Sequence, residues 1–295
     1  MSSDTPNGTS SVNSVNPNAE RVVESDKVWT TLITNTEYLS GLLTLDASLK
    51  FAGSKYPLVA LYTDTFPQEG KDALDQRKIP RKHIPYLLPK TYKDFTNDPR
   101  FYDCWSKLTP FSLVEYERVV QLDSDMLVLQ NMDELMDISL DGREEAGQAQ
   151  HGEPEKAQVE GMPSDHGITM PNGGLQVVVP CPEVYEKISN ALQDEKTMSY
   201  DFSDQSLLGD VFHGRWVALP YVYNALKTLR WKGVHDPIWR DDRVKNIHYI
   251  LSPKPWDENE ADKKKQERDG SNQWWWDVHE RRLKEERAIG IDDGF

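Results

Sequence analysis

The sequence predicts an α/β fold with a mostly parallel central sheet and helices on both faces. Three observations predict it. Val28-Trp29-Thr30-Thr31-Leu32-Ile33-Thr34, Leu58-Val59-Ala60-Leu61-Tyr62-Thr63 and Arg118-Val119-Val120-Gln121-Leu122 are near-continuous apolar or β-branched runs, as in strands buried on both sides. Between the first two, Leu42, Leu45 and Leu49 recur at helical spacing, which makes a β-α-β start. The third run enters Asp123-Ser124-Asp125, two carboxylates on one side of an extended chain, at the strand end where open α/β sheets bind ligands.

In chain order, residues 1–26 are rich in Ser, Asn, Thr and Pro without periodicity and read as a disordered tail. A strand at 28–34, a helix at 38–50 and a strand at 58–63 follow. Residues 105–116 read as a helix leading into the aspartate strand. Leu175-Gln176-Val177-Val178-Val179 is a later strand, and Val184, Ile188 and Leu192 mark one face of the next helix. Residues 141–167 hold seven acids, two bases and several Gly and Pro, the composition of a long surface loop or a disordered insertion in the domain. Residues 257–270 are almost wholly polar and charged. Trp274-Trp275-Trp276 and a charged, helical C-terminus come after them, so 27–256 is the expected domain and 257–295 an extension. The Trp run either packs back on the domain or meets an acceptor or partner.

The 295 residues, 37% hydrophobic and 10% aromatic, suffice for a sizeable core. A net charge of −15 argues against nucleic acid and anionic membrane as general partners. It leaves room for an anionic small ligand wherever a metal reverses the local sign. Cys104 and Cys181 are too few for a disulfide framework or a thiolate metal cluster. With no apolar run of membrane-spanning length and no signal-peptide core, the cytosol is the expected compartment.

Two carboxylates held together repel unless a cation lies between them, so Asp123 and Asp125 read as a divalent-metal site serving a phosphate. Asp-x-Asp after a strand also occurs in phosphohydrolases and in plain strand exits. Thr34-Asn35 and Tyr38, at the end of the first strand, lie on the same sheet edge. Asn35 can read a base edge and Tyr38 can stack on a ring, or Asn35 can cap a helix and Tyr38 be buried. Asn172-Gly173-Gly174 lets a ligand approach the backbone, or is an ordinary turn. Asp201, Asp204 and Gln205 precede an apolar helix start and can hold sugar hydroxyls or complement the helix dipole. His248 sits in a short apolar segment, followed by Lys254-Pro255-Trp256. Lys254 is a suitable point charge for phosphate, and two carboxylates with an imidazole suit Mn²⁺ better than Mg²⁺.

Taken together and in order, these pieces resemble glycosyltransferase family 8, which includes glycogenin and the plant galactinol synthases. The resemblance spans about 28–256. It rests on Thr31-Leu32-Ile33-Thr34-Asn35 with Tyr38 and Gly41, Ser106-Lys107-Leu108, Leu122-Asp123-Ser124-Asp125, and Asn131-Met132-Asp133-Glu134-Leu135. It continues with Asn172-Gly173-Gly174, Asp204-Gln205, Leu219-Pro220 with Tyr223-Asn224, and His248 with Lys254-Pro255-Trp256. The resemblance implies a Rossmann-like type A glycosyltransferase fold and a Mn²⁺-dependent, retaining hexosyltransferase. It would move glucose or galactose from a UDP-sugar to a small sugar or polyol. By the same resemblance Asp123, Asp125 and His248 would hold the metal, Mg²⁺ being the alternative ion. Leu32, Thr34, Asn35 and Tyr38 would line the uridine pocket. Lys107, Lys254, Arg100 and Ser124 would face the donor's phosphate or sugar. Asn172, Gly173, Asp201, Asp204 and Gln205 would surround the sugar, with Asp204 the candidate to stabilise the reacting carbon.

The resemblance is closer to the galactinol synthases at Ser54-Lys55-Tyr56-Pro57-Leu58-Val59, at 106–116 and at Leu229-Arg230-Trp231. In glycogenin a tyrosine between the Tyr-Asn motif and the metal histidine accepts the first glucose. Here the matching residue is Trp231, which disfavours self-glucosylation. Ile250-Leu251-Ser252-Pro253 replaces a glycine-containing stretch that touches the diphosphate in the family. The competing classes lack their marks. A phosphohydrolase wants a Thr or Val after the second Asp where Leu127 stands, and a pyrophosphorylase wants a Gly-rich basic loop at Thr34-Asn35-Thr36-Glu37. A sugar-nucleotide-binding scaffold protein has no need of three complete metal ligands. The sequence leaves acceptor, donor hexose and oligomeric state open.

Overall fold

The computed structural model describes residues 19–96, 98–140, 144–146, 158, 162–163, 170–258 and 270–295. Strands β1 (Lys27–Ile33), β2 (Leu58–Tyr62), β3 (Arg81–His83) and β4 (Arg118–Leu122) are parallel and lie in the order β3-β2-β1-β4. Helices α1 (Leu39–Phe51), α2 (Gln68–Gln76) and the single turn α3 (Arg100–Cys104) connect them. After β4 come β5 (Met126–Val128), β6 (Glu144–Ala146), β7 (Met162–Pro163), β8 (Leu175–Val178), helices α4 (Pro182–Ala191) and α5 (Ser203–Val211), and β9 (Trp216–Ala218). The main sheet continues β4-β8-β6-β9-β7, with β8 and β7 antiparallel to their neighbours. A second, three-stranded sheet joins β10 (Ala225–Leu226), β11 (Asn246–His248) and β5. Helix α6 (Asn272–Ala288) ends the chain.

Successive residues of a strand face opposite sides, and the core follows that rule. Val28, Val119 and Val178 are in register and pack on one face with Trp105, Phe111, Ile188 and Phe212. Trp29, Val120 and Val177, one residue along, pack on the other with Leu45, Leu49, Met132 and Leu135. Both faces are covered, which is why these strands carry no polar alternation.

Three expectations are corrected. Residues 105–116 are not an α-helix: a 3-10 segment runs from Trp105 to Ser112 with Pro110 inside it. Proline has no N–H to give a helix interior, and its ring clashes with the preceding turn. The inserted segment 141–167 is not wholly loop, because β6 and β7 pair into the main sheet. Two- and three-residue strands are too short to carry a periodic signal. At the N-terminus, residues 19–26 are part of the fold. The Arg21 Nε–H donates to the Glu115 carbonyl at 2.6 Å, and the Val22 N–H donates to the Tyr116 hydroxyl at 3.2 Å. The remainder of that expected tail lies outside the described residues. Helix α6 packs on α1, which is the first of the two readings given for the Trp run. Trp275 is fully buried, stacks on His279 at 4.5 Å and meets Trp256 at 5.5 Å. Arg77 holds the end of α6 through Glu286 at 2.9 Å and Asp293 at 2.7 Å.

Trp275→Ala is expected to lower stability by about 3–5 kcal/mol, the range for truncating a buried tryptophan. The midpoint and slope of urea unfolding check this.

Candidate active site

The site lies at the carboxyl end of β4. Strand β8 runs antiparallel to β4, so the turn before β8 meets the turn after β4, and the Asp123 N–H donates to the Gly174 carbonyl at 2.9 Å. Strand β11 pairs with β5 so that His248 stands opposite Met126, and the Tyr249 N–H donates to the Asp125 carbonyl at 2.9 Å. The two pairings bring His248 beside both aspartates. Its Nε2 is 3.2 Å from Asp125 Oδ1 and 3.7 Å from Asp123 Oδ2. One ligand atom from each of Asp123, Asp125 and His248 lies within 4.8 Å of the others.

Two lysines neutralise this cluster. Lys107 Nζ reaches Asp123 Oδ1 at 2.6 Å, and Lys254 Nζ donates to Asp125 Oδ2 and, at 2.8 Å, to the Tyr249 carbonyl. Burial pushes the Asp125 carboxyl up, but His248 and Lys254 outweigh it and hold that carboxyl well below the usual range. Burial likewise opposes the Lys107 ammonium, and Asp123 beside it more than restores its charge. His248 is oriented from behind. Its Nδ1 pairs with Asn224 Oδ1 at 2.9 Å, and the Asn224 amide donates to Asn172 Oδ1 at 2.9 Å. With Nδ1 engaged, Nε2 points at the carboxylates, the arrangement of a metal-ligating imidazole. Asn172 Oδ1 also accepts the Gly174 N–H at 3.0 Å.

The glycines are required here. A Cβ on Gly174 would stand 2.5 Å from His248 Cε1, and one on Gly173 would stand 2.3 Å from Asp204 Oδ2. Asp204, in the first turn of α5, is 3% exposed, and its Oδ2 has no hydrogen-bond partner. Burial pushes its carboxyl up to about 6, against the pull of Lys107. Gln205 Oε1 accepts the Gly173 N–H at 2.8 Å, which leaves its amide N–H groups for a ligand.

A cavity of about 340 Å³ opens over the cluster, the size of a small-molecule site. Leu32, Thr34, Asn35, Tyr38, Arg100, Lys107, Ser124, Asn172, Gln205 and Lys254 line it, together with Asp123, Asp125, His248 and Asp204. Some of these are already engaged. Ser124 Oγ ties the turn to β1 through the Leu32 carbonyl at 3.0 Å, and Arg100 pairs with Asp98 and donates to the Tyr38 hydroxyl at 2.9 Å. Asn35 neither caps α1 nor stands free: its Oδ1 accepts the Glu37 N–H at 3.0 Å in a local turn. Asp201 is not brought into the cavity. Its side chain is 71% exposed and pairs with Lys93 at 2.5 Å. Sequence reasoning missed Asp98, Phe101, Asp103, Cys104 and Phe202 in the lining, and the orienting role of Asn224. Only Asn224 carried a signal, the Tyr-Asn pair. Burial pushes the Cys104 thiol up to about 12, so it is not a nucleophile at neutral pH.

Fold and site together define a glycosyltransferase of the type A fold. The galactosyltransferase LgtC, solved in complex with donor and acceptor sugar analogs, matches with a TM-score of 0.61 at 15% identity, covering 88% of this chain and 99% of LgtC. The apo form of the glycosyltransferase GlyE from Streptococcus pneumoniae TIGR4 matches at 0.61 and 18% identity, covering 89% of this chain and 64% of GlyE. The chain belongs to glycosyl transferase family 8, whose sequence model matches residues 29–260. Galactinol synthase 1 of Solanum lycopersicum is 29% identical over 272 residues, spanning 88% of this chain and 84% of that protein. Galactinol synthase 1 of Arabidopsis thaliana is 27% identical over 302 residues, spanning 94% and 85%. Among the described residues no helix is long and apolar enough to cross a membrane.

Asn224→Ala frees the His248 ring and is expected to weaken divalent-ion binding at Asp123, Asp125 and His248 about 10- to 100-fold with the fold intact, as for other residues that orient metal ligands. Calorimetric titration with Mn²⁺ checks it. Asp204→Asn is expected to stabilise the metal-free protein at pH 7 by on the order of 1–3 kcal/mol, because it removes a carboxylate that burial disfavours. The folded carboxyl titrates above the unfolded one, so the gain shrinks as pH falls through about 6 towards the unfolded value. Urea unfolding of both proteins at several pH values measures it.

Proposed function

We propose that this chain is a Mn²⁺-dependent, retaining hexosyltransferase that moves a sugar from a UDP-hexose to the hydroxyl of a small sugar or polyol. The observation that carries this reading is the O, O, N set of Asp123, Asp125 and His248, converging within 4.8 Å at the floor of a cavity lined by lysines and sugar-type hydrogen-bonding groups. The fit to a divalent ion is good. The imidazole is oriented from behind by Asn224, and Gly174 leaves room for its ring. A mixed carboxylate and imidazole set favours Mn²⁺ over Mg²⁺. When bound, the ion stabilises the charge that grows on the departing diphosphate.

The chain's own residues supply the rest. Lys107 and Lys254 put two ammonium groups beside the same position, where they lower the barrier to losing UDP. Asp204, with an unpartnered oxygen, faces the sugar as it becomes oxocarbenium-like, and Gln205 and Asn172 hold its hydroxyls. Asp201 is left out of this assignment, since its carboxylate is exposed and paired with Lys93. Residues 27–256 form the transfer domain in this reading, and the C-terminal extension acts as its buttress. The galactinol synthase relatives support galactose as the sugar and a polyol as the acceptor, because the match runs over 84% of the tomato protein's length. Trp231 stands where a self-glucosylating relative would need tyrosine.

Purified protein with Mn²⁺ is expected to release UDP from UDP-galactose faster than from UDP-glucose, and myo-inositol is expected to accelerate the release. Asp125→Asn is expected to lower that rate about 100-fold or more, the scale of losing a main electrostatic contact to the leaving group. Undiminished turnover by Asp125→Asn with Mn²⁺ present would refute the metal assignment. Tight UDP binding by the wild type with no release to any acceptor would favour a sugar-nucleotide-binding protein instead.

A further inference from the structure

Asp103 has no part in the roles assigned so far, yet it lines the same cavity beside Leu32, Thr34, Asn35 and Tyr38. It lies on α3, one turn before Lys107. Both carboxylate oxygens are held: the Thr34 hydroxyl donates to Oδ2 at 2.8 Å, and the Tyr86 hydroxyl donates to Oδ1 at 2.8 Å. Burial and then the bond to Asp103 push the Tyr86 phenol up, so it remains a proton donor. Among the described residues no lysine or arginine forms an ion pair with Asp103. Each oxygen has accepted one hydroxyl and can accept a further donor. The result is a fixed, acceptor-only group at the β1 end of the cavity, while the phosphate-binding cations stand at the β4 end.

This arrangement bears on which base the donor carries, and the inference rests on the reading of the site as a sugar-nucleotide site. With the diphosphate against Lys107, Lys254 and the metal ligands, the nucleoside extends towards Thr34, Asn35 and Tyr38. Uracil presents one donor on its pairing edge, the imide N–H, between two carbonyls. Cytosine presents a bare ring nitrogen at the same place. A carboxylate accepts from the first and repels the second. The Asn35 amide donates one N–H to Thr34 Oγ1 at 3.3 Å and keeps another for a flanking carbonyl. We propose that Asp103 selects the donor's base by accepting the imide N–H of uracil, with Thr34 and Tyr86 as the residues that fix its orientation.

The test is calorimetric titration of UDP, CDP and GDP, each with Mn²⁺, into wild type, Asp103→Asn and Tyr86→Phe. Wild type is expected to prefer UDP to CDP by about 100-fold or more, as buried hydrogen-bonding sites do when their partner is missing. Asp103→Asn, whose amide can donate to the cytosine ring nitrogen, is expected to weaken UDP about 10- to 100-fold and to narrow or invert the preference. Its affinity for Mn²⁺ alone is expected to match the wild type, which also reports that the site is folded. Tyr86→Phe keeps the carboxylate and is expected to keep the preference for UDP. An unchanged ratio of UDP to CDP affinity in Asp103→Asn overturns the proposal, as does a wild type that prefers GDP. Wild type that binds none of the three overturns the donor reading together with this one. UDP binding with an unaltered ratio overturns this one alone.

Discussion

The like charges of Asp123 and Asp125 are the constraint on which the rest of the site depends. They stand at i and i+2 at the end of a strand buried from Val119 to Leu122, with Ser124 turned the other way to hold β1. Water cannot screen them well there, so the surrounding structure must supply cations. It does so with two lysines, Lys107 from the segment before β4 and Lys254 from the loop after β11, while His248 on β11 brings its Nε2 to both carboxylates. A chain with a net charge of −15 thus concentrates positive groups at one strand end. The cluster forms only when the second sheet docks on β5, since the pairing of β5 with β11 delivers the histidine.

The same constraint explains the small residues around it. Close approach of α5, β8 and β11 to the carboxylates leaves no room for a Cβ at Gly173 or Gly174. Asn172 and Asn224 then act together as a polar strut. Each uses its side-chain oxygen on a neighbour, Asn172 on the Gly174 N–H and Asn224 on the imidazole. A hydrophobic side chain in either place would leave buried donors unmatched, at a cost of about 1–3 kcal/mol each.

Much of this was legible in the sequence, and the exceptions have physical reasons. Strands β1, β2, β4 and β8 were legible because burial on both faces writes a continuous apolar run. The grouping of Asp123, Asp125 and His248 was legible from the ordered motifs, which set His248 and Lys254 beside an Asp-x-Asp that other protein classes share. What escaped were short pairings and side chains whose role is set by a distant partner. Strands β6 and β7 are three and two residues long. Asp103 is an unremarkable residue in a helical turn until Thr34 and Tyr86 converge on it. Asp201 was misplaced for the converse reason: two residues before α5 it can equally face solvent, and Lys93 holds it there. Leu251 lies between the two cases. Family resemblance puts a glycine-containing stretch there, and the loop takes a left-handed turn, φ +64°, even with leucine. Such a turn costs a non-glycine residue roughly 1–2 kcal/mol. The loop is anchored at both ends, by the Tyr249 N–H on the Asp125 carbonyl and the Lys254 ammonium on the Tyr249 carbonyl, and these anchors hold the turn.

The C-terminal helix extends this logic from the site to the whole chain. Trp275 on α6 packs on Trp256, and Trp256 meets the ring of Tyr38 edge-on at 5.8 Å. Trp256 also closes on Gly41, where a Cβ would lie 2.7 Å from its ring and 2.4 Å from the Ser124 carbonyl. The wall that holds Tyr38 and Lys254 over the carboxylates is therefore backed by a helix far away in sequence. Arg77, paired with Glu286 and Asp293, fixes the far end of that helix to α2. Loosening α6 would first be felt at Trp256, and through it at Tyr38 and the cation that faces Asp125. A segment that looks like an appendage in the sequence is thus a structural condition for the cavity, with Trp275 buried in the core that backs Trp256 and Trp274 and Trp276 packed against it.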